Sequence, residues 1–158
     1  MQAQFVSKVI DLLDDIHVLI DTSGHARENE FRLVIEKADL VFFDLKIMDE
    51  VLHYRFTKRT NKQIFANLMI LDTMNIPFVI RIPLIPGVTD TKVNYSAIVE
   101  RIKSLKNLKH VELMPYNPAA GGKYQSVGVT YSPGFEGTQP INIDTKIFNS
   151  VGITVKVL

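Results

Sequence analysis

Five short apolar runs, separated by stretches of helical period, constrain this chain more than any other feature. The runs are His17-Val18-Leu19-Ile20, Leu40-Val41-Phe42-Phe43, Phe78-Val79-Ile80-Arg81-Ile82, His110-Val111-Glu112-Leu113-Met114 and Ile153-Thr154-Val155-Lys156-Val157. Runs of this length with polar or Gly punctuation read as strands, and the first two read as strands buried on both faces. Between them the period changes to that of helices. Residues 3–14 place Phe5, Val6, Val9, Ile10, Leu12 and Leu13 on one face, with Lys8, Asp11 and Asp14 opposite. Helical segments are expected at 28–37, 61–74, about 92–105 and 142–150. Thr60 and Gln63 have capping-box spacing, and Asp90 or Thr91 suits the cap of the next helix.

Alternation of this kind means parallel strands joined by helical crossovers. The expected fold is α/β, a single domain over 1–158. At 158 residues the chain is too short for an eight-unit barrel of about 250 residues, so an open sheet or a partial (β/α) barrel remains. It opens on a helix, where such folds usually open on a strand. The stretch 115–140 is longer than a plain connector, and functional loops are often that long.

Composition excludes several classes of function. With 18 Lys+Arg against 17 Asp+Glu, the chain lacks the basic excess of a nucleic-acid binder or a polybasic membrane anchor. The start has no signal-peptide pattern and no apolar run approaches bilayer length, so the expected location is the cytoplasm. There is no cysteine, hence no disulfide, thiolate nucleophile or thiolate-held cluster in these residues. The four His residues show no metal-ligand spacing. His17 and His110 are expected at strand starts away from the functional rim, and His25 in an exposed loop.

In parallel α/β folds the ligand sits at the carboxyl ends of the strands. There the sequence places Asp21 and Thr22, Asp44 and Lys46, Arg81, Glu112, Tyr116 and Asn117. Each also has a plain structural reading. Asp21-Thr22 suits a turn or cap, and Asp44 and Lys46 suit an ion pair across an extended segment. Arg81 inside an apolar strand needs a carboxylate, because an unpaired buried guanidinium costs several kcal/mol. Glu112 and a ligand are both candidates to supply it.

The strings IDTSGHA (20–26), DLVFFDLKIMD (39–49), IRIPLIPGVTD (80–90) and VELMPYNPAAGGKYQSVG (111–128) then stand together. In this order and spacing the chain resembles the radical S-adenosylmethionine (SAM) activating enzymes of glycyl radical enzymes, with pyruvate formate-lyase activating enzyme as the type. The resemblance implies a partial (β/α)6 barrel, a [4Fe-4S] cluster on a CxxxCxxC loop, and reductive cleavage of SAM. The product radical takes a hydrogen atom from a Gly of the partner enzyme. The implied partners are a glycyl radical enzyme and a flavodoxin-like electron donor.

By the same resemblance, the SAM and substrate region comprises Asp21, Thr22, Asp44, Lys46, Arg81 and Asn117. Asp21, Thr22 and the backbone near Ile47-Met48 correspond to a monovalent cation site, and Val88 to Asp90 follow the wall that receives adenine. Asn117 stands where the type has His. The CxxxCxxC loop and the GGEP motif are absent. The chain therefore reads as the C-terminal part of such an enzyme, with the first strands missing. Alone it is expected to be inactive, with neither SAM nor cluster firmly bound. Missing strands would bare the edge of the 17–20 strand, so a homodimer or other cover is expected there.

Two other readings stay open. One is a non-catalytic module docking a glycyl radical enzyme or a nucleotide through Tyr116, Tyr124, Tyr131 and Phe135. The other is an aldolase-like lyase using Lys46 as a Schiff-base amine.

Overall fold

A computed structural model describes residues 2–117, 124, 126–130 and 134–158. The elements run α1 (Ala3–Ile10), β1 (Leu19–Thr22), α2 (Glu28–Ile35), β2 (Leu40–Asp44), α3 (Glu50–Thr57), α4 (Lys62–Thr73), β3 (Phe78–Leu84), α5 (Lys92–Ile102), β4 (Leu108–Pro115), α6 (Lys146–Asn149) and β5 (Val155–Val157). Among the described residues, five strands form one open sheet in the order β1-β2-β3-β4-β5. Every neighbouring pair is parallel. The α/β fold and the parallel partial-barrel sheet expected from the alternation are therefore present. Among the described residues, no helix is long and apolar enough to cross a membrane.

The strands are not buried on both faces, which corrects the reading of the first two runs. Val41, Phe43 and Leu45 of the β2 region, Ile80, Ile82 and Leu84 of β3, and Val111 and Leu113 of β4 belong to the core. They pack with Phe31 and Ile35 of α2, Ile64, Leu68 and Leu71 of α4, and Tyr95, Ile98 and Ile102 of α5. The alternate residues Phe42, Asp44, Arg81, Pro83, Glu112 and Met114 lie outside that core, on the other face. One face is packed under helices and the other carries charge. β1 is the edge strand and is half exposed throughout. It starts two residues later than its apolar run, because pairing begins at Leu19 opposite Leu40.

Local departures have local causes. α3 was not legible as a helix: only His53 of its residues is buried, so no apolar stripe marks it. Its start is set by Asp49, whose carboxylate accepts the Leu52 N–H at 2.7 Å. The expected capping box at Thr60 is replaced by an Asn61 cap. The Asn61 side chain turns away from α4 and donates to the carbonyls of Ile47 (3.1 Å) and Met48 (2.9 Å). Thr91 caps α5, accepting the Asn94 N–H at 3.2 Å. The last helix shrinks to one turn because Asn142 is tied elsewhere. Its N–H donates to Asp90 Oδ2 (2.8 Å) and its carboxamide to the Asp90 carbonyl (2.9 Å).

The Tyr95 hydroxyl completes this anchor by donating to the Asn142 carbonyl at 2.8 Å. Burial, then the nearby carboxylates of Asp90 and Asp144, push the phenol well above its ordinary value of 10.0. Above pH 10 the unfolded chain loses this proton while the folded chain keeps it. The folded state then binds more protons, so its stability falls as pH rises through that range. Tyr95→Phe is expected to flatten that alkaline decline, and to cost about 1 kcal/mol at neutral pH through the lost hydrogen bond. Urea unfolding at neutral and alkaline pH measures both.

Candidate functional site

The carboxyl ends of the strands bring most of the sequence-derived residues to one rim. Register does the placing: Asp21 lies opposite Phe42, Asp44 opposite Arg81, and Arg81 opposite Glu112. Because Phe42 and Asp44 are two residues apart, all of these share the charged face. Arg81 is the centre of the row. Its Nη1 donates to Asp21 Oδ2 at 2.5 Å, and its Nε lies 3.7 Å from Glu112 Oε2. The same guanidinium donates to the Met114 sulfur from Nε (3.1 Å) and Nη2 (2.8 Å). It lies 5.1 Å from the centre of the Phe42 ring, a cation–π distance.

Both carboxylate partners of Arg81 thus come from the protein. Glu112 is buried, while the Asp21 side chain is 55% exposed. His110 joins the row through Nε2, 3.1 Å from Glu112 Oε1. It lies near the start of β4, as expected, and is linked to Arg81 through Glu112. Period-two reading of β4, which puts His110, Glu112 and Met114 on one face, carries that signal.

Asp44 ends β2. Its Oδ2 accepts from Lys46 Nζ at 2.9 Å, the ion pair its spacing suggested. Its Oδ1 is buried and has no hydrogen-bond partner among the described residues. A buried acceptor without a donor is costly and marks a place where a ligand or water completes the structure. Lys46, the amine of the aldolase-like reading, is engaged in this ion pair.

Beside Asp44 lies a pocket of about 230 Å³. Ser23, His25, Asp44 to Ile47, His53, Arg59 and Asn61 are among the residues that line it. The His53 ring is fixed at Nδ1, 2.8 Å from the Arg59 carbonyl and 3.0 Å from Thr57 Oγ1. Asn67 holds the backbone on both sides of His25 by donating to the carbonyls of Gly24 (2.7 Å) and Ala26 (2.8 Å).

The remaining sequence-derived positions are less convergent. Thr22 Oγ1 accepts the Gly24 N–H at 3.0 Å, which is turn chemistry. At Met48 the N–H donates to Asn94 Oδ1 at 2.9 Å, and the carbonyl accepts from Asn61. Asn94 also donates to the Lys46 carbonyl at 2.8 Å, so two asparagines hold the Lys46–Met48 backbone. Val88, Thr89 and Asp90 are buried, and Asp90 is used in the Asn142 anchor. Asn117 is exposed just beyond β4. Of the proposed aromatic docking set, Tyr116 and Phe135 stack edge to face at 5.2 Å and Tyr124 is exposed. Tyr131 lies outside the described residues, as does most of the PAAGGKYQ segment.

An open parallel sheet with helices on one face, and charges converging at the carboxyl rim of the other, is the arrangement of a partial (β/α) barrel. No family model matches the chain. Over 131 residues it is 36% identical to the trans-4-hydroxy-L-proline dehydratase activating enzyme of Clostridioides difficile, covering 80% of this chain and 43% of that protein. Over 119 residues it is 32% identical to the choline trimethylamine-lyase activating enzyme of Oleidesulfovibrio alaskensis, covering 73% of this chain and 38% of the relative. A crystal structure of a domain of pyruvate-formate lyase-activating enzyme from Bacteroides vulgatus superposes with a TM-score of 0.71 at 25% identity, covering 98% of this chain and 92% of that one. The chain is a homologue of the glycyl radical enzyme activating enzymes, the family its four strings pointed to. It spans less than half the length of the first two relatives.

Proposed function

We propose that this chain supplies the SAM-facing rim of a glycyl radical enzyme activating enzyme, and that the cluster chemistry resides on residues outside these 158. The observation that carries the reading is the buried Oδ1 of Asp44, without a partner among the described residues, at the rim of a chain homologous to such enzymes.

The cluster does not fit the residues present. The chain has no cysteine, and among the described residues no group of three His, Cys, Asp or Glu comes together to hold a metal ion. SAM does fit: a buried carboxylate oxygen awaits a donor, and a molecule carrying an ammonium group and ribose hydroxyls offers several. When bound, SAM supplies a carbon–sulfur bond open to reductive cleavage. Asp44 accepts from the ligand, while Lys46 holds the Asp44 carboxylate in place. Arg81 and Asp21 present a fixed ion pair beside it. Asn61 and Asn94 keep the Lys46–Met48 backbone from moving when the ligand enters. The partner in this reading is a glycyl radical enzyme; the relatives are named as activating enzymes of a dehydratase and of a lyase.

Equilibrium dialysis with labelled SAM tests the reading. Weak saturable binding to the 158-residue chain is expected. Asp44→Asn keeps the shape but replaces one acceptor oxygen by a donor. It should lower SAM affinity tenfold or more, about 1.4 kcal/mol, with the thermal midpoint nearly unchanged. No saturable binding, or equal binding by the variant, would remove the proposal. Reconstitution with iron and sulfide is expected to leave the chain without a cluster, and a stable [4Fe-4S] spectrum would show that the cluster assignment is wrong.

A further inference from the structure

The pocket beside Asp44 holds polar atoms that the row of charges does not use. Its lining comes from the β1–α2 loop, the end of β2, α3, the turn into α4 and α4 itself. Asp21, Arg81 and Glu112 take no part in it. Leu45, Ile47, Ile64 and Phe65 supply its apolar share. Two polar residues of the lining are almost wholly enclosed, His53 at 4% exposure and Asn61 at 2%. In each, a bond to a backbone carbonyl fixes what the other polar atom must be. His53 Nδ1 lies 2.8 Å from the Arg59 carbonyl, which can only accept, so the proton of the neutral ring is assigned to Nδ1. Nε2 is then a bare acceptor, and nothing among the described residues bonds to it. The Asn61 carboxamide donates to the carbonyls of Ile47 and Met48. Its Oδ1 is left as an acceptor, again without a partner among the described residues. Of the described side-chain atoms only Asp44 Oδ1 is both sealed and partnerless. His53 Nε2 and Asn61 Oδ1 therefore keep an opening, on residues whose surroundings include the pocket.

We propose that this pocket binds a small neutral molecule with an apolar body and one hydroxyl or N–H donor, the chemistry of a phenol. The polar atoms decide the class. Two enclosed acceptors ask for donors, and leaving them bare is costly. An anion brings more acceptors. It would need a proton on His53 Nε2 before it could bond there, and would still face Asn61 Oδ1. A cation brings donors, but Lys46 and Arg59 also line the pocket, and Asp44, the carboxylate in the lining, is already paired with Lys46 at 2.9 Å. Water could serve the two acceptors, yet it gains nothing from the four apolar side chains. A ring carrying one hydroxyl serves both kinds of surface, and about 230 Å³ has room for it. The inference uses neither Asp44 Oδ1 nor Arg81, so it stands apart from the SAM reading. It also owes nothing to the outer edge of β1.

Titration of the 158-residue chain with phenol, followed by nuclear magnetic resonance of the histidine rings, tests it. Saturable binding is expected. The Nε2 resonance of the ring protonated at Nδ1 should move toward the hydrogen-bonded position while the ring keeps its tautomer. Anisole has the same ring and oxygen without the donor, and benzoate has a charge in its place. Both should bind tenfold or more weakly than phenol. Ile64→Phe, which fills the pocket from α4, should weaken phenol binding tenfold or more with unchanged circular dichroism. His53→Phe should do the same by removing Nε2. Where that variant fails to fold, the ring resonance of the unaltered chain carries the test. Equal binding of phenol and anisole would overturn the proposal, because the pocket would then read apolar surface alone. So would tighter binding of benzoate, or phenol binding that leaves the Nε2 resonance in place. Absence of saturable binding would overturn it too, and would leave water as the partner of both acceptors.

Discussion

Gly24→Ala is expected to destabilise the chain by about 2–5 kcal/mol, although it adds a single methyl group. Two independent costs meet at this position. The backbone has φ +69°, in the left-handed region where a Cβ carries a penalty. The new Cβ would also lie 2.6 Å from Phe43 Cε2 and even closer to Cζ. Phe43 cannot retreat: it is wholly buried and stacks edge to face on Phe31 at 6.3 Å. The thermal midpoint should fall by roughly 10 °C for a domain of this size. A cycle with Phe43→Leu separates the two costs. Shortening the ring relieves the clash but not the backbone strain, so the double variant should be more stable than the sum of the singles by about 1 kcal/mol or more. Strictly additive effects would mean that the ring is not the obstacle. Function enters through the same residue. Gly24 turns the chain from β1 into the loop carrying Ser23 and His25, which line the pocket beside Asp44.

What the sequence discloses about this fold, and what it hides, follows from how far each signal reaches. β2, β3 and β4 are legible because a strand's apolar residues announce it locally. α2, α4 and α5 are legible because their stripes meet the core. α1 shows the limit of periodicity, which separates two faces of a helix without saying which one meets a neighbour. Here the apolar face is the exposed one, since Ala3 and Ser7 allow close approach to α2 and Lys37 reaches across to Asp11. The site divides in the same way. Asp44 with Lys46 is a contact at spacing two, so it can be read directly. The contact between Arg81 and Asp21 cannot, because β2 lies between their strands. Only the length of the guanidinium arm, laid over the Phe42 ring, brings the two together. Reading Arg81 as a cation that needs a carboxylate was sound; which carboxylate serves it depends on strand order.

Arg81→Leu is expected to cost about 3 kcal/mol, because it strands a buried carboxylate rather than because it breaks a strong bond. The Glu112 side chain is 10% exposed, and without Arg81 it keeps His110 as its one remaining ionic partner among the described residues. Asp21, more than half exposed, can return to water, so Asp21→Asn should cost no more than about 1 kcal/mol despite the shorter contact. Distance alone would rank these two pairs the other way. The double variant Arg81→Leu with Glu112→Gln removes the stranded charge and should recover half or more of the loss. Urea unfolding of the four proteins measures the ranking. If Asp21→Asn costs as much as Arg81→Leu, the exposed pair carries the stability and the desolvation account of Glu112 is wrong. If Arg81→Leu leaves stability intact yet weakens SAM binding, Arg81 is held for the ligand instead, and the row of charges belongs to the site more than to the fold.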